Sequence, residues 1–315
     1  MTHTILGAGG AIGVELAKSL AAYSNPIRLV GRNPKKVNAS DELFKADLLS
    51  ASATADAVKG SSVAYLTVGL PYRIDVWQRD WPIVMKNAID ACKRHHVKLV
   101  FFDNVYMYGL VKGKMTEDTP FNPNSKKGEV RAKIAEMLLR EIKQGNLTAL
   151  IARAPDFYGI NVQTSILDAT VIQNLRNGKS AQWLCNADTL HNFIFTPDAG
   201  KATALLGNTE HAFNQTWHLP TAEAITGRVL IALFAKAFNT SPKTSVLSPL
   251  MITLLGLFIP VLKEFKEMLY QYEFDYQFDS SKFQNAFGMS PTRYEDGVKM
   301  IAASCLSQSR TTHPL

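Results

Sequence analysis

Thr4-Ile5-Leu6-Gly7-Ala8-Gly9-Gly10-Ala11-Ile12-Gly13 is the stretch on which the fold turns. A short apolar run passes straight into glycines, and beyond them Ile12, Leu16, Leu20 and Tyr23 recur at helical spacing over 11–23. In such a strand-to-helix turn one glycine makes the tight turn, another lets a diphosphate approach the backbone, and a third lets helix pack close on strand. The helix start adds unpaired N–H groups and a positive dipole end. Gly7, Gly9, Gly10, Ala11, Ile12 and Gly13 are therefore expected to cradle a dinucleotide.

Outward from this turn, apolar runs at 4–6, 27–30, 63–68, 98–103 and 148–152 read as strands, with helix-period segments such as 82–95 between them. Parallel strands need helical crossovers, so the pattern predicts a doubly wound α/β sheet of the Rossmann type. Residues 1–155 are read as the dinucleotide-binding domain. Residues 156–315 form a smaller mixed substrate lobe, with some segments returning to the core. In that lobe a helix is expected over 164–177, a short strand over 192–196, and Asp198 as the N-cap of a further helix.

The second strand, Ile27–Val30, ends in Gly31-Arg32-Asn33 and carries no carboxylate for a ribose 2′-hydroxyl. Arg32, with Lys35 or Lys36 beside it, can instead grip a 2′-phosphate, which favours NADP over NAD; an exposed loop cation is the plainer alternative. Asp47, in Ala46-Asp47-Leu48, suits either the adenine amino group or a helix N-cap. Leu48, Val68 and Gly69 complete the expected cofactor face.

Composition bounds the rest. The chain has 315 residues, 46% hydrophobic and 19% charged, which is a globular profile. Thirty-four Lys and Arg against 27 Asp and Glu give a net charge of +7, too modest to imply nucleic acid. Basic clusters at 112–114 and 126–133 lack aromatic interleaving and read as solvated faces. Cys92, Cys185 and Cys305 are odd in number and widely spaced, so neither disulfides nor a metal site is expected, and a reducing cytoplasm fits. No basic leader precedes the first apolar run. The apolar stretch 246–262 is interrupted by Pro249, Gly256 and Pro260 and falls short of a bilayer span, so it reads as a buried or docking helix rather than a membrane contact.

The chain resembles the extended or atypical branch of the short-chain dehydrogenase/reductase superfamily, which includes the NAD(P)-dependent epimerases and dehydratases. The resemblance rests on Gly7-x-x-Gly10-x-x-Gly13, on Ala46-Asp47-Leu48, and on Val100-Phe101-Phe102-Asp103-Asn104-Val105-Tyr106-Met107-Tyr108-Gly109. It continues through Ala132-Lys133-Ile134-Ala135-Glu136, Arg153-Ala154-Pro155-Asp156-Phe157-Tyr158-Gly159 and His191-Asn192-Phe193-Ile194-Phe195-Thr196-Pro197-Asp198. It implies an oxidoreductase or epimerase with a nicotinamide cofactor, a small-molecule substrate and a homodimer built on the helices over 82–95 and 126–143.

In that family a Ser or Thr follows the fifth strand, and a Tyr stands four residues before a Lys on the next helix. Carried over by position, the Lys is Lys133, the Tyr place holds Glu129 and the Ser/Thr place holds Asn104. Two of the three side chains are thus altered. A Glu beside a Lys stays ionised and makes a poor acid, while a stripe of Glu129, Lys133, Glu136 and Arg140 equally describes a solvated face. Tyr106 is the first choice for a substitute proton donor. The resemblance further places Pro155 and Phe157 beside the nicotinamide, with Asp156, Tyr158 and His191 on the substrate side. A protein that binds NADP(H) as a sensor without turnover is the alternative reading.

Overall fold

The computed structural model describes residues 2–160, 162 and 165–311. Its centre is a parallel sheet whose core strands are β1 (Thr2–Leu6), β2 (Ile27–Gly31), β3 (Glu42–Lys45), β4 (Ser61–Leu66) and β5 (Lys98–Asp103). Strands Ala149–Arg153 and Thr216–His218 extend it, so that the order runs 216–218, 149–153, β5, β4, β1, β2, β3. The chain reverses direction across the sheet between β1 and β4. In an open parallel sheet that reversal leaves a crevice at the carboxyl ends of the strands, and the glycine turn lies there.

Helices α1 (Ala11–Leu20), α2 (Ala51–Val58), α3 (Ile74–His95) and α4 (Lys126–Lys143) connect the strands. Alternation within each strand builds two apolar layers. Ile5 and Leu29 face α1 and the helix Thr196–Gly207, whereas Leu6 and Val30 face the α2–α3–α4 side with Trp77, Trp81 and Leu138. A third cluster, with Trp183, Phe193, Phe234 and Tyr294, forms the lobe. Segments of the lobe half return to the core: helix Thr196–Gly207 packs on α1, and strand Thr216–His218 joins the main sheet.

Several local expectations are corrected. The helix expected over 82–95 begins at Ile74, with Pro82 inside it. Proline removes one bond to the Gln78 carbonyl, but Trp77 and Trp81 continue the apolar face formed by Val84, Met85 and Ala88, and their burial prevails. Asp198 is not an N-cap: the helix starts at Thr196 with Pro197 in its first turn. The Asp198 carboxylate instead accepts from the Thr292 backbone N–H and hydroxyl, tying the C-terminal segment to the core. The helix over 164–177 runs from residue 166 to Arg176 through a π-turn at Asp168–Ile172, and Thr164 lies outside the described residues.

The stretch 246–262 is not a buried helix. Thr244–Leu247 pairs as a strand with Ala181–Leu184, and Pro249 and Pro260 then each open a separate short helix, Pro249–Leu255 and Pro260–Phe265. Among the described residues no helix is long and apolar enough to cross a membrane.

Candidate functional site

The cradle is closed on one side and bare on the other. Gly7 has φ +97°, and a Cβ there would stand 2.3 Å from the Val68 Cα. At Gly13 a Cβ would meet Ala8 Cα and Gly7 O at 2.9 Å. These are the positions where glycine is required. Gly9 and Gly10, by contrast, have nothing within 4 Å of the same point. The first α1 bond is Val14 N–H to Gly10 O, and Gly10 caps without a side chain, so the amides of Ala11, Ile12 and Gly13 point out of the helix start. A chain that presses glycine against the sheet and presents bare amides outward fits a dinucleotide diphosphate.

The other residues expected to face a cofactor follow the carboxyl ends of β2, β3 and β4. Arg32 is exposed at the end of β2 and makes no salt bridge among the described residues. Lys36 donates to the Ala39 carbonyl at 2.9 Å. Asp47 is exposed and accepts from Leu49 N–H, whereas the N-cap of α2 is Ser50, so the capping alternative for Asp47 is overturned. Leu48 is buried, and its carbonyl accepts from Asn87 Nδ2. Val68 packs over Gly7, and Gly69 is exposed beside it.

Beyond β5 the register of α4 differs from the expectation. Glu129 and Lys133 are exposed on its outer face, which removes both from the site. The inward face carries Lys127 and Arg131 instead, both buried, so the basic cluster at 126–133 is not wholly a solvated face. Arg131 donates to Asp103 Oδ1 from Nε at 2.9 Å. Arg153 lies 3.6 Å from Asp103 Oδ2 and donates to the Tyr108 hydroxyl at 2.6 Å. Two guanidinium groups thus share one buried carboxylate under the crevice. Their faces also meet aromatic rings, Trp81 for Arg131 at 4.5 Å and Phe121 for Arg153 at 4.9 Å.

Lys127 is held from above. Its ammonium donates to Glu264 Oε2 at 2.7 Å and Glu267 Oε1 at 2.8 Å, and lies 4.6 Å from the Tyr72 ring centre. The same two glutamates accept from the backbone N–H groups of Ile74 and Lys126, at the starts of α3 and α4, where helix dipoles favour anions. Phe265 adds ring contacts to Tyr72 and Tyr272. The segment 260–268 is therefore a cover clamped over the inner end of α4.

Under this cover Asn104 Oδ1 accepts from Tyr106 N–H, and the half-buried Tyr106 ring stacks on Trp77. Asp156 accepts from the Tyr272 hydroxyl at 2.7 Å and lies 3.2 Å from His191 Nε2. His191 is buried between the rings of Phe193, Tyr272 and Tyr276. Burial, with the Asp156 carboxylate adding to it, pushes the phenols of Tyr72, Tyr106, Tyr270, Tyr272 and Tyr276 above their ordinary range, so they stay protonated at neutral pH. The buried hydroxyl of Tyr270 makes no hydrogen bond among the described residues, whereas that of Tyr72 faces Tyr106 and that of Tyr276 lies against the Asp156 backbone.

Tyr158 is corrected. It is 1% exposed, its ring against Phe195 and Tyr294, so it belongs to the lobe core and not to the substrate side. Pro155 is buried at the sheet edge, and Phe157 packs partly into the α1-side layer. No group of His, Cys, Asp and Glu among the described residues could hold a metal ion. Of the tyrosine cluster only Tyr106 stood out in the sequence; Lys127, Arg131, Tyr72, Tyr270, Tyr272 and Tyr276 did not.

A parallel sheet with a glycine cradle at its crossover crevice and a cluster of tyrosines around the Asp156 carboxylate defines a dinucleotide-fold protein with an appended C-terminal lobe. The profile of the NAD-dependent epimerase/dehydratase family matches residues 3–216, and the chain belongs to that family. Its fold is similar to UDP-glucuronic acid 4-epimerase from Bacillus cereus in complex with UDP-glucuronic acid and NAD, with TM-score 0.81, 17% identity, and 98% of this chain and 100% of that one covered. It is also similar to the dTDP-glucose 4,6-dehydratase DesIV from Streptomyces venezuelae, with TM-score 0.80, 15% identity and 99% and 98% covered. A third likeness is to Thermus thermophilus UDP-glucose 4-epimerase complexed with NAD, with TM-score 0.77, 15% identity and 96% and 98% covered. No curated protein matches the sequence significantly.

Proposed function

We propose that this chain is an NADP-dependent oxidoreductase of the epimerase/dehydratase type, acting on a small hydroxyl-bearing carbonyl, alcohol or sugar-derived substrate. The cradle carries the reading: Gly7 is pressed on Val68 while Gly9 and Gly10 stand open. The amides of Gly9 to Gly13 hold the diphosphate, and the uncommitted Arg32, with Lys36, takes a 2′-phosphate. Bound nicotinamide supplies the hydride carrier. Pro155 and Phe157 border its ring. Tyr106, kept protonated by burial, donates a proton to the substrate oxygen, and the Asn104 amide hydrogen-bonds the same oxygen. Asp156, whose side chain is 18% exposed, and the Tyr270 hydroxyl receive the substrate's other hydroxyls, while His191, 1% exposed between three rings, orients the Asp156 carboxylate instead of touching substrate. A homodimer through α3 and α4 and a cytoplasmic location belong to the same proposal.

Calorimetric titration tests the cofactor choice. NADPH is expected to bind at least about tenfold more tightly than NADH, with Arg32→Ala erasing the difference; equal, millimolar binding of both removes the claim. One observation favours a second reading, cofactor binding without turnover. Lys127 and Arg131 reproduce on the inner face the four-residue spacing of the family's Tyr and Lys, yet both are committed to ion pairs. Stopped-flow hydride transfer across aldehydes, ketones and nucleotide sugars separates the two. Oxidation of NADPH that Tyr106→Phe abolishes establishes the enzyme, and intact binding with no transfer establishes the sensor.

A further inference from the structure

We infer that the hairpin of helices Pro249–Leu255 and Pro260–Phe265 is a docking surface for an anionic lipid bilayer. Phe258 is 85%, Leu257 74% and Leu250 69% exposed, and Leu254 and Val261 are more than half exposed beside them. Such a contiguous apolar apex is unlike the single hydrophobics scattered over ordinary soluble surfaces. Its inner side is anchored, with Ile252 and Met268 fully buried, so the outer side chains are held outward by the packing beneath them.

Charge decides the occupant. Between Asn239 and Leu262 the only charged residue is Lys243, and Lys263 and Lys266 follow directly. All three lysines are exposed. The neighbouring acids, Glu264 and Glu267, are turned inward onto Lys127 and the helix starts of α3 and α4. The apex therefore presents apolar side chains flanked by Lys263, whose backbone packs against Gly256, and by Lys266, while the acids of its own segment are turned inward, the pattern that seats short amphipathic elements in an anionic headgroup layer. A second copy would bring the same lysines against these. The inference goes beyond the proposed activity and does not rest on it.

Co-sedimentation of the full-length protein with vesicles tests it. Binding to phosphatidylcholine vesicles containing phosphatidylglycerol is expected, weaker on pure phosphatidylcholine and weakened by salt. The exposed double variant Leu257→Ser/Phe258→Ser should lower the partition coefficient about tenfold or more, and Lys263→Gln/Lys266→Gln should remove the preference for phosphatidylglycerol. Circular dichroism checks that each variant is folded. Absence of wild-type binding overturns the inference, as does equal binding by the serine variant. So does a wild-type dimer that the serine variant converts to monomer in sedimentation velocity, since the apex would then lie between copies.

Discussion

Gly7 and Gly10 belong to one motif but answer to different constraints. Gly7 combines φ +97° with a backbone contact at 2.3 Å from its would-be Cβ. Gly7→Ala is therefore expected to destabilise the fold by roughly 2–4 kcal/mol in urea unfolding. Gly10 has φ −82° and ψ 164° with open space around it, so Gly10→Glu should unfold near the wild-type midpoint while its carboxylate repels the diphosphate. Calorimetry should then show NADPH binding lost from a stable protein. If Gly10→Glu still binds NADPH, the amides lie elsewhere than on the phosphate path.

At the level of elements, α4 shows what was legible in the sequence and what was not. Strand-helix alternation exposed the sheet, and β5 runs over Lys98–Asp103 as its apolar run implied. The register of α4 was legible in principle. Counting back from Leu138 through Ile134 by fours and threes reaches Arg131 and Lys127, the inward face. Assigning cations to solvent by type concealed them, because their partners are remote. Lys127 meets Glu264 across 137 residues, and no local pattern encodes such a pairing. The buried trio of Asp103, Arg131 and Arg153 joins β5, α4 and the next strand in the same way. Asp103→Asn leaves two buried guanidinium groups facing each other and should cost about 3–5 kcal/mol in urea unfolding; a loss under about 1 kcal/mol would mean that the trio is solvated in solution.

Across the whole molecule, two buried histidines link stability to pH. Burial lowers His218 to about 3 and His3 to about 4. His218 Nδ1 donates to the Asp279 carbonyl, and its Nε2 accepts from the Tyr108 hydroxyl, an arrangement that needs the neutral ring. Both groups bind a proton in the unfolded chain near pH 6.5 but not in the folded one. Their stabilisation is therefore complete above that pH and falls as pH drops toward the folded values, by about 1.4 kcal/mol per pH unit for each histidine. Urea unfolding between pH 6.5 and 5 should show this slope, and His218→Asn should roughly halve it; an unchanged slope would mean that His218 is not neutral in the fold.

The clamp on Lys127 also bears on how the covering segment stays seated. Glu264 and Glu267 fasten 260–268 to the ammonium of Lys127 and to the first amides of α3 and α4 at once. One bolt thus holds three parts, and a lesion at Lys127 would loosen all of them together, leaving two carboxylates without their shared cation.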